Sequence, residues 1–346
     1  MDISICPPDC IQKSTGNYTL VKYPVHKKNQ PEYNFFRSVV YAHGVPVCFS
    51  PPKSVYPIPF MTNYPISDCL VEEFVEGTMI NYFFDEDRWI PATRTIVGAE
   101  NTFDSDKSFA TMFQECLAQY AVTLNPSYTY SFVMQHPENY IITPVSQPSL
   151  CLVAVYTLQE GKAYELPAAN HGFPVPLRYS VSSYEEAERL AQNVPGKGLV
   201  LKCNGERMKF KRAEYYRLED LKGNVPFSYH YLFIRNTPLS IEYLSNFPTY
   251  ISRANATEQE IHRMVHLLYE QYVSCYIKHE NRLVTYATKK YLYELHQIYL
   301  TRLRPWRMNV TTVTNYVNSL HPNQITTILR VLRTTPNFLN MLDMQE

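Results

Sequence analysis

At 346 residues, 45% of them apolar and 18% charged, the chain is too hydrophobic to stay disordered and long enough for one large domain plus a smaller one. Its 32 Lys/Arg and 32 Asp/Glu cancel, which excludes a global cationic field and leaves any nucleic-acid binding to a local groove. No run approaches the roughly 20 apolar residues that span a bilayer, and MDISICPPDCIQK has no apolar core of a signal peptide. A soluble intracellular protein with no membrane partner is expected. Eight cysteines run from Cys6 to Cys275, and only Cys6 and Cys10 are close, without a second pair at zinc spacing. Free thiols in a reducing compartment are the expectation.

Up to about residue 250, short β-branched and aromatic runs (SVVY, PVCFS, MINYFF, YTYSFVM, CLVAVYTL, LVLKC) are broken by Pro, Asn and Gly, the pattern of a strand-rich domain. Two helical stretches interrupt it. FATMFQECLAQYAVTL sets Phe109, Met112, Phe113 and Leu117 on one face, and SSYEEAERLAQNV carries its acids early, where a helix dipole favours them. In LVLKCNGERMKFKR, Asn204-Gly205 suits a type I′ turn, because both central residues need positive φ. Beyond that turn Met208 and Phe210 face one way and Lys209 and Lys211 the other. The lysine face is either an anion-binding surface or a solvated strand face.

From Thr257 the pattern becomes helical. Thr257 and Glu260 have capping-box spacing, and Ile261, Met264, Val265, Leu268 and Tyr272 follow at helical intervals. Further helices are expected over about 283–303, 310–320 and 324–332, punctuated by Pro305 and Pro322. The expected architecture is α+β: a domain of antiparallel sheets over 1–252, then an all-α domain over 253–346. His43, His136, His171 and His262 stand in unrelated contexts and make no ligand spacing, and no Ser-His-Asp or Cys-His arrangement can be read.

Five segments carry chemistry. The first is CLVEEFVEGTMINYFFDEDRWIPATRT, with Glu76-Gly77-Thr78, Trp89, Thr93 and Arg94. RSVVYAHGVPVCFSPPKS precedes it with Arg37 and Lys53; YTYSFVMQHPENYIITP follows with Pro137, Asn139, Ile141 and Ile142. Then come GKGLVLK and KFKRAEYYRLEDL, the latter with Lys209, Lys211 and Tyr215. In this order they resemble the bacteriophage-type RNA ligases of the covalent nucleotidyltransferase superfamily, over roughly 180 residues and ahead of a helical tail. The likeness extends to ligase-like proteins of large DNA viruses.

That resemblance implies a Lys-x-Asp/Glu-Gly nucleophile motif, but the residue two before Glu76 is Phe74, and no lysine lies between Lys53 and Lys107. A lysine nucleophile must offer a neutral amine, and phenylalanine has no lone pair. Val133 stands where the family has a strand carboxylate, and Lys197 where it has the Glu of Glu-Gly-x-Val. The implied reading is a degenerate pseudoenzyme with no catalytic residue, no cofactor and no metal. Arg37, Lys53, Glu76, Arg94, Lys197, Lys209 and Lys211 would then line a groove for nucleotide or nucleic-acid phosphates. Phe74, Tyr82 and Trp89 are candidates to stack on a base, with packing the rival role for Trp89. Glu76 either meets a ribose hydroxyl or caps a turn. Two alternatives stand beside RNA binding: a structural or protein-interaction component of a virus particle, with a protein partner or homodimer, and a live nucleotidyltransferase with another nucleophile. If viral, the protein would work in the host cytoplasm or virus factory, or travel in the virion.

Overall fold

The computed structural model describes residues 1–27, 30–280, 286–303 and 307–333. The expected helix start near Leu283 and the break at Pro305 lie outside them. The chain forms two compact units, Met1–Leu221 and Lys222–Glu346. The boundary expected at 252/253 falls inside the second.

Three antiparallel sheets build the first unit. The N-terminal sheet has the order β1 (Ile11–Thr15), β2 (Tyr18–Lys22), β3 (Val39–Ala42), β4 (Val45–Phe49). A five-stranded sheet contains β6 (Thr78–Asp85), β7 (Arg88–Ala92), β8 (Tyr128–Gln135), β9 (Ser149–Gln159) and β10 (Lys162–Leu166), in the order β10-β9-β8-β6-β7. A three-stranded sheet joins β12 (Glu206–Lys211), β11 (Gly198–Cys203) and β5 (Leu70–Glu73), in that order. Every strand run expected from the sequence is a strand, because alternating or continuous apolar side chains in short segments can be buried on both sides of a sheet only by pairing. Asn204 and Gly205 have φ of 48° and 78°, as the type I′ turn requires.

Side-chain alternation gives each sheet two faces. Tyr130, Phe132 and Met134 of β8 pack with Phe109, Met112 and Phe113 of α2 (Phe109–Leu117). Val71, Leu199, Leu201, Met208 and Phe210 cover the outer face of the three-stranded sheet beneath α1 (Pro57–Asn63) and α3 (Tyr184–Ala191). The opposite face of that sheet therefore carries Glu72, Val200 and Lys209 in one row across the three strands, and the paired Lys202 and Arg207 two residues along. Helix α2 ends at Leu117, short of the stretch suggested by the sequence. Beyond it the Tyr120 hydroxyl donates to Leu150 O and accepts from Leu150 N–H, drawing the chain across the sheet.

Residues 213–246, which the sequence reading left inside the strand-rich domain without assigning them an element, form α4 (Ala213–Lys222), α5 (Phe227–Ile234) and α6 (Leu239–Asn246). The aromatic run FSYHYLFI looks strand-like by composition, but it buries Phe227 and Tyr231, four residues apart, against Tyr243 and Tyr250. The second unit continues with α7 (Ile251–Tyr272), α8 (Tyr286–Ile298), α9 (Val310–Ser319) and α10 (Pro322–Arg333). Ile261, Met264, Val265 and Leu268 meet Leu295, Val317 and Leu329 in its core. No helix among the described residues is long and apolar enough to cross a membrane.

The capping box at Thr257 is not there. The helix begins six residues earlier, and the Thr257 hydroxyl donates to Arg253 O inside it at 2.9 Å. Such back-bonding leaves no orphan amide satisfied. Thr257→Ala is accordingly expected to shift the urea unfolding free energy by less than ~0.5 kcal/mol, where loss of a true cap would cost about 1.

Candidate functional site

The first unit brings its conspicuous cations to the inner face of the three-stranded sheet, where Lys202 reaches Val153 O and Arg207 the Tyr156 hydroxyl of β9. Phe74 follows directly on β5 and bridges to β11, its N–H donating to Gly198 O and its carbonyl accepting from the Lys197 N–H. Its half-buried ring is flanked by ammonium groups, Lys209 Nζ 3.9 Å and Lys197 Nζ 5.2 Å from the ring centroid. Both are at cation–π distance. Lys197 also lies over Tyr215 and is tied to Glu219 at 2.8 Å, while Lys211 sits 4.0 Å above the Tyr216 ring.

Lys209 has no acid partner among the described residues. Burial first, then Arg37, Arg207, Lys197 and Lys211, hold its pKa well below the usual lysine value. Arg37 is in the same position: burial, with Arg207 and Arg94 near, lowers its guanidinium to about 10, still charged at neutral pH. Unmatched, desolvated cations that face one another are costly in the free protein, and an anion would relieve that cost. Exposed Arg94 extends the group, its guanidinium 5.0 Å from the Tyr23 ring. Lys53 lies over Tyr56 at 5.8 Å and is not among the cations that depress Lys209 or Arg37.

Glu76 is buried, and its Oε1 accepts from the Ile142 and Thr143 amides. The Gln135 side chain donates to its carbonyl, and Asn139 donates to Thr78 at 2.8 Å. The Pro137–Thr143 loop is thus fastened around the Glu76-Gly77-Thr78 strand entry, which supports the turn-capping role. Its Oε2 is buried without a hydrogen bond among the described residues, as is the Tyr215 hydroxyl. Burial, with the Glu76 and Glu219 charges near, pushes the Tyr215 phenol far above its usual range.

Two stacking candidates are not in the groove. Tyr82 is buried and stacks on Trp89 at 5.1 Å and against Phe113 at 5.0 Å, so both belong to the α2 core. Alternation in β6 turns Tyr82 toward that helix, which composition alone did not show. Val133 packs with Val75 and Cys151. His136 is structural: its Nδ1 accepts from the Glu138 amide, so Nε2 carries the proton and meets Glu115 at 2.8 Å. The sequence reading missed Arg207, whose guanidinium reaches Tyr156 and Glu165, and the buried Glu72–Lys202 pair at 2.7 Å beside it. Their strand alternation with Lys209 and Phe74 was the available signal.

No protein-family model matches the chain. It is 26% identical over 212 residues to the RNA ligase of Rhodothermus phage RM378, which covers 56% of this chain and 43% of the phage protein. The chain is thus similar to an RNA ligase. It is also 24% identical over 225 residues to the immediate-early protein ICP-46 homolog of Invertebrate iridescent virus 3, covering 61% of this chain and 50% of that protein. The ligase-like chain thus spans about half the length of the curated relatives it matches. Among solved structures, an archaeal ATP-dependent RNA ligase aligns with 13% identity and a TM-score of 0.44, over 90% of this chain and 92% of that one. A putative ATP-dependent DNA ligase from Aquifex aeolicus aligns with 11% identity and a TM-score of 0.43, over 85% and 78%.

Two positions that the motif resemblance assigns to oxygen ligands carry other chemistry here. Oxygen ligands are what a divalent metal of the kind that ligase chemistry employs requires. Val75, Val133 and Cys151 form an apolar cluster where the motif comparison calls for a carboxylate, and Lys197 adds an ammonium where it calls for another. Among the described residues no three His, Cys, Asp or Glu side chains are grouped to share an ion.

Proposed function

We propose that this ligase-like protein has lost nucleotidyl transfer and binds RNA or another nucleic acid by its phosphates in the groove around Phe74. The carrying observation is the Phe74 ring with Lys209 and Lys197 both at cation–π distance, and Arg37 and Lys209 without an acid partner among the described residues. A ring cannot form the bond to phosphorus that a lysine amine forms, whereas the surrounding cations can receive phosphate oxygens without a metal. Backbone contacts of this kind are salt-sensitive and largely blind to sequence. The two virus-encoded relatives support a viral origin, with the host cytoplasm or virus factory as the place of action.

The test pairs two measurements. Incubation of the chain with ATP or GTP and a divalent metal is expected to add no nucleotide to its intact mass, and RNA affinity is expected to fall steeply with salt. A covalent nucleotide adduct, or RNA affinity indifferent to salt, would overturn the reading. Phe74→Lys is expected to remain adduct-free as well, because Val133 and Lys197 still replace two oxygen ligands of the motif; an adduct in that variant would show that the missing amine alone silences the chemistry.

A further inference from the structure

A second site lies in the helical unit, on the solvent face of α7. The helix buries Ile261, Met264, Val265 and Leu268, which anchors it along one side. His262 and His266, four residues apart, both lie exposed on the other. Their rings are 4.5 Å apart between centroids and inclined at 65°, and the atoms that approach each other are the two Nε2 nitrogens, 3.1 Å apart.

We propose that His262 and His266 chelate a single divalent transition-metal ion of the zinc, nickel or copper class. Neutral imidazole nitrogens suit these ions, at about 2.0–2.1 Å from zinc. Two such nitrogens 3.1 Å apart subtend about 100° at one ion, between the octahedral and tetrahedral angles. Without an ion the pair holds only one proton between its facing nitrogens, and it does so only if the two rings adopt opposite tautomers. An ion would satisfy both lone pairs at once. Because the ligands stand on a packed helix, little ordering is needed to bring them together. No third protein ligand is in place among the described residues, so water fills the remaining positions, with exposed Glu270 the next acid along the same stripe. The sequence reading passed over His266, although it stands four residues beyond His262 in the helix expected there.

The experiment titrates Zn²⁺ calorimetrically into the full chain after chelator treatment, alongside His262→Ala and His266→Ala. The substituted side chains are exposed, so helical circular dichroism is expected to be unchanged. Thiols elsewhere contribute equally to all three proteins, and the difference between isotherms is the readout. A one-equivalent event in the wild type, weakened at least about tenfold in each variant, is the expected result. Superimposable isotherms, a loss in only one variant, or no binding by the wild type would overturn the proposal.

Discussion

Lys209→Met is expected to make the free protein more stable while weakening its binding of RNA at least about tenfold. Methionine keeps an unbranched stem against the Phe74 ring and removes an ammonium that burial and four neighbouring cations disfavour. The pH dependence follows from the direction of that shift. The folded-state pKa is depressed, so the unfolded chain holds the proton more tightly. The stability lost by folding a charged Lys209 is therefore greatest in acid, and it vanishes as the pH rises through the folded pKa toward the unfolded one near 10.5. The advantage of the variant in thermal midpoint should narrow over the same interval. Binding moves the opposite way, since a charge-assisted hydrogen bond to phosphate contributes about 1.5–3 kcal/mol and disappears with the amine. The salt slope of RNA binding should also fall by about one contact. Unchanged affinity in Lys209→Met would remove the groove from consideration; a drop in stability would show that Lys209 is held by interactions more favourable than its surroundings suggest.

The second large effect is on folding. Gly77→Ala is expected to destabilise the protein by roughly 3 kcal/mol, the sum of backbone strain and overpacking. Gly77 has φ +144°, which L side chains rarely adopt, and an added Cβ would run into the Met134 carbonyl and come within 2.6 Å of Val133 Cγ1. That carbonyl belongs to β8, where Met134 is paired with Thr78, so it cannot withdraw without opening the ladder. Denaturant titration should show a lower midpoint at an unchanged slope. A variant as stable as the wild type would mean that this strand junction yields readily. The glycine of the Glu-Gly-Thr motif is thus required by sheet geometry, whatever binds nearby.

How much of this was legible beforehand depended on range. The Asn204-Gly205 hairpin and the strands around it are set by contacts within a few residues, and they appear where the sequence puts them. Thr257 has the residue types of a cap, yet favourable packing upstream, with Ala254 buried, carries the helix past it. The FSYHYLFI run has strand composition, but its aromatic residues find partners at helical spacing in Tyr243 and Tyr250. Tyr82 looked available for stacking until strand alternation placed it against α2, where Trp89 packs as its rival role had it.

By itself the sequence determined the α+β organisation, the ligase-like order of motifs and the aromatic side chain at position 74, since each is a matter of residue identity and local periodicity. Only the tertiary structure decided that Arg37 and Arg207 press on Lys209 and that one Glu76 oxygen is held by the 142–143 amides. Electrostatic coupling and desolvation depend on distances across strands and between turns, and linear order leaves those distances unspecified.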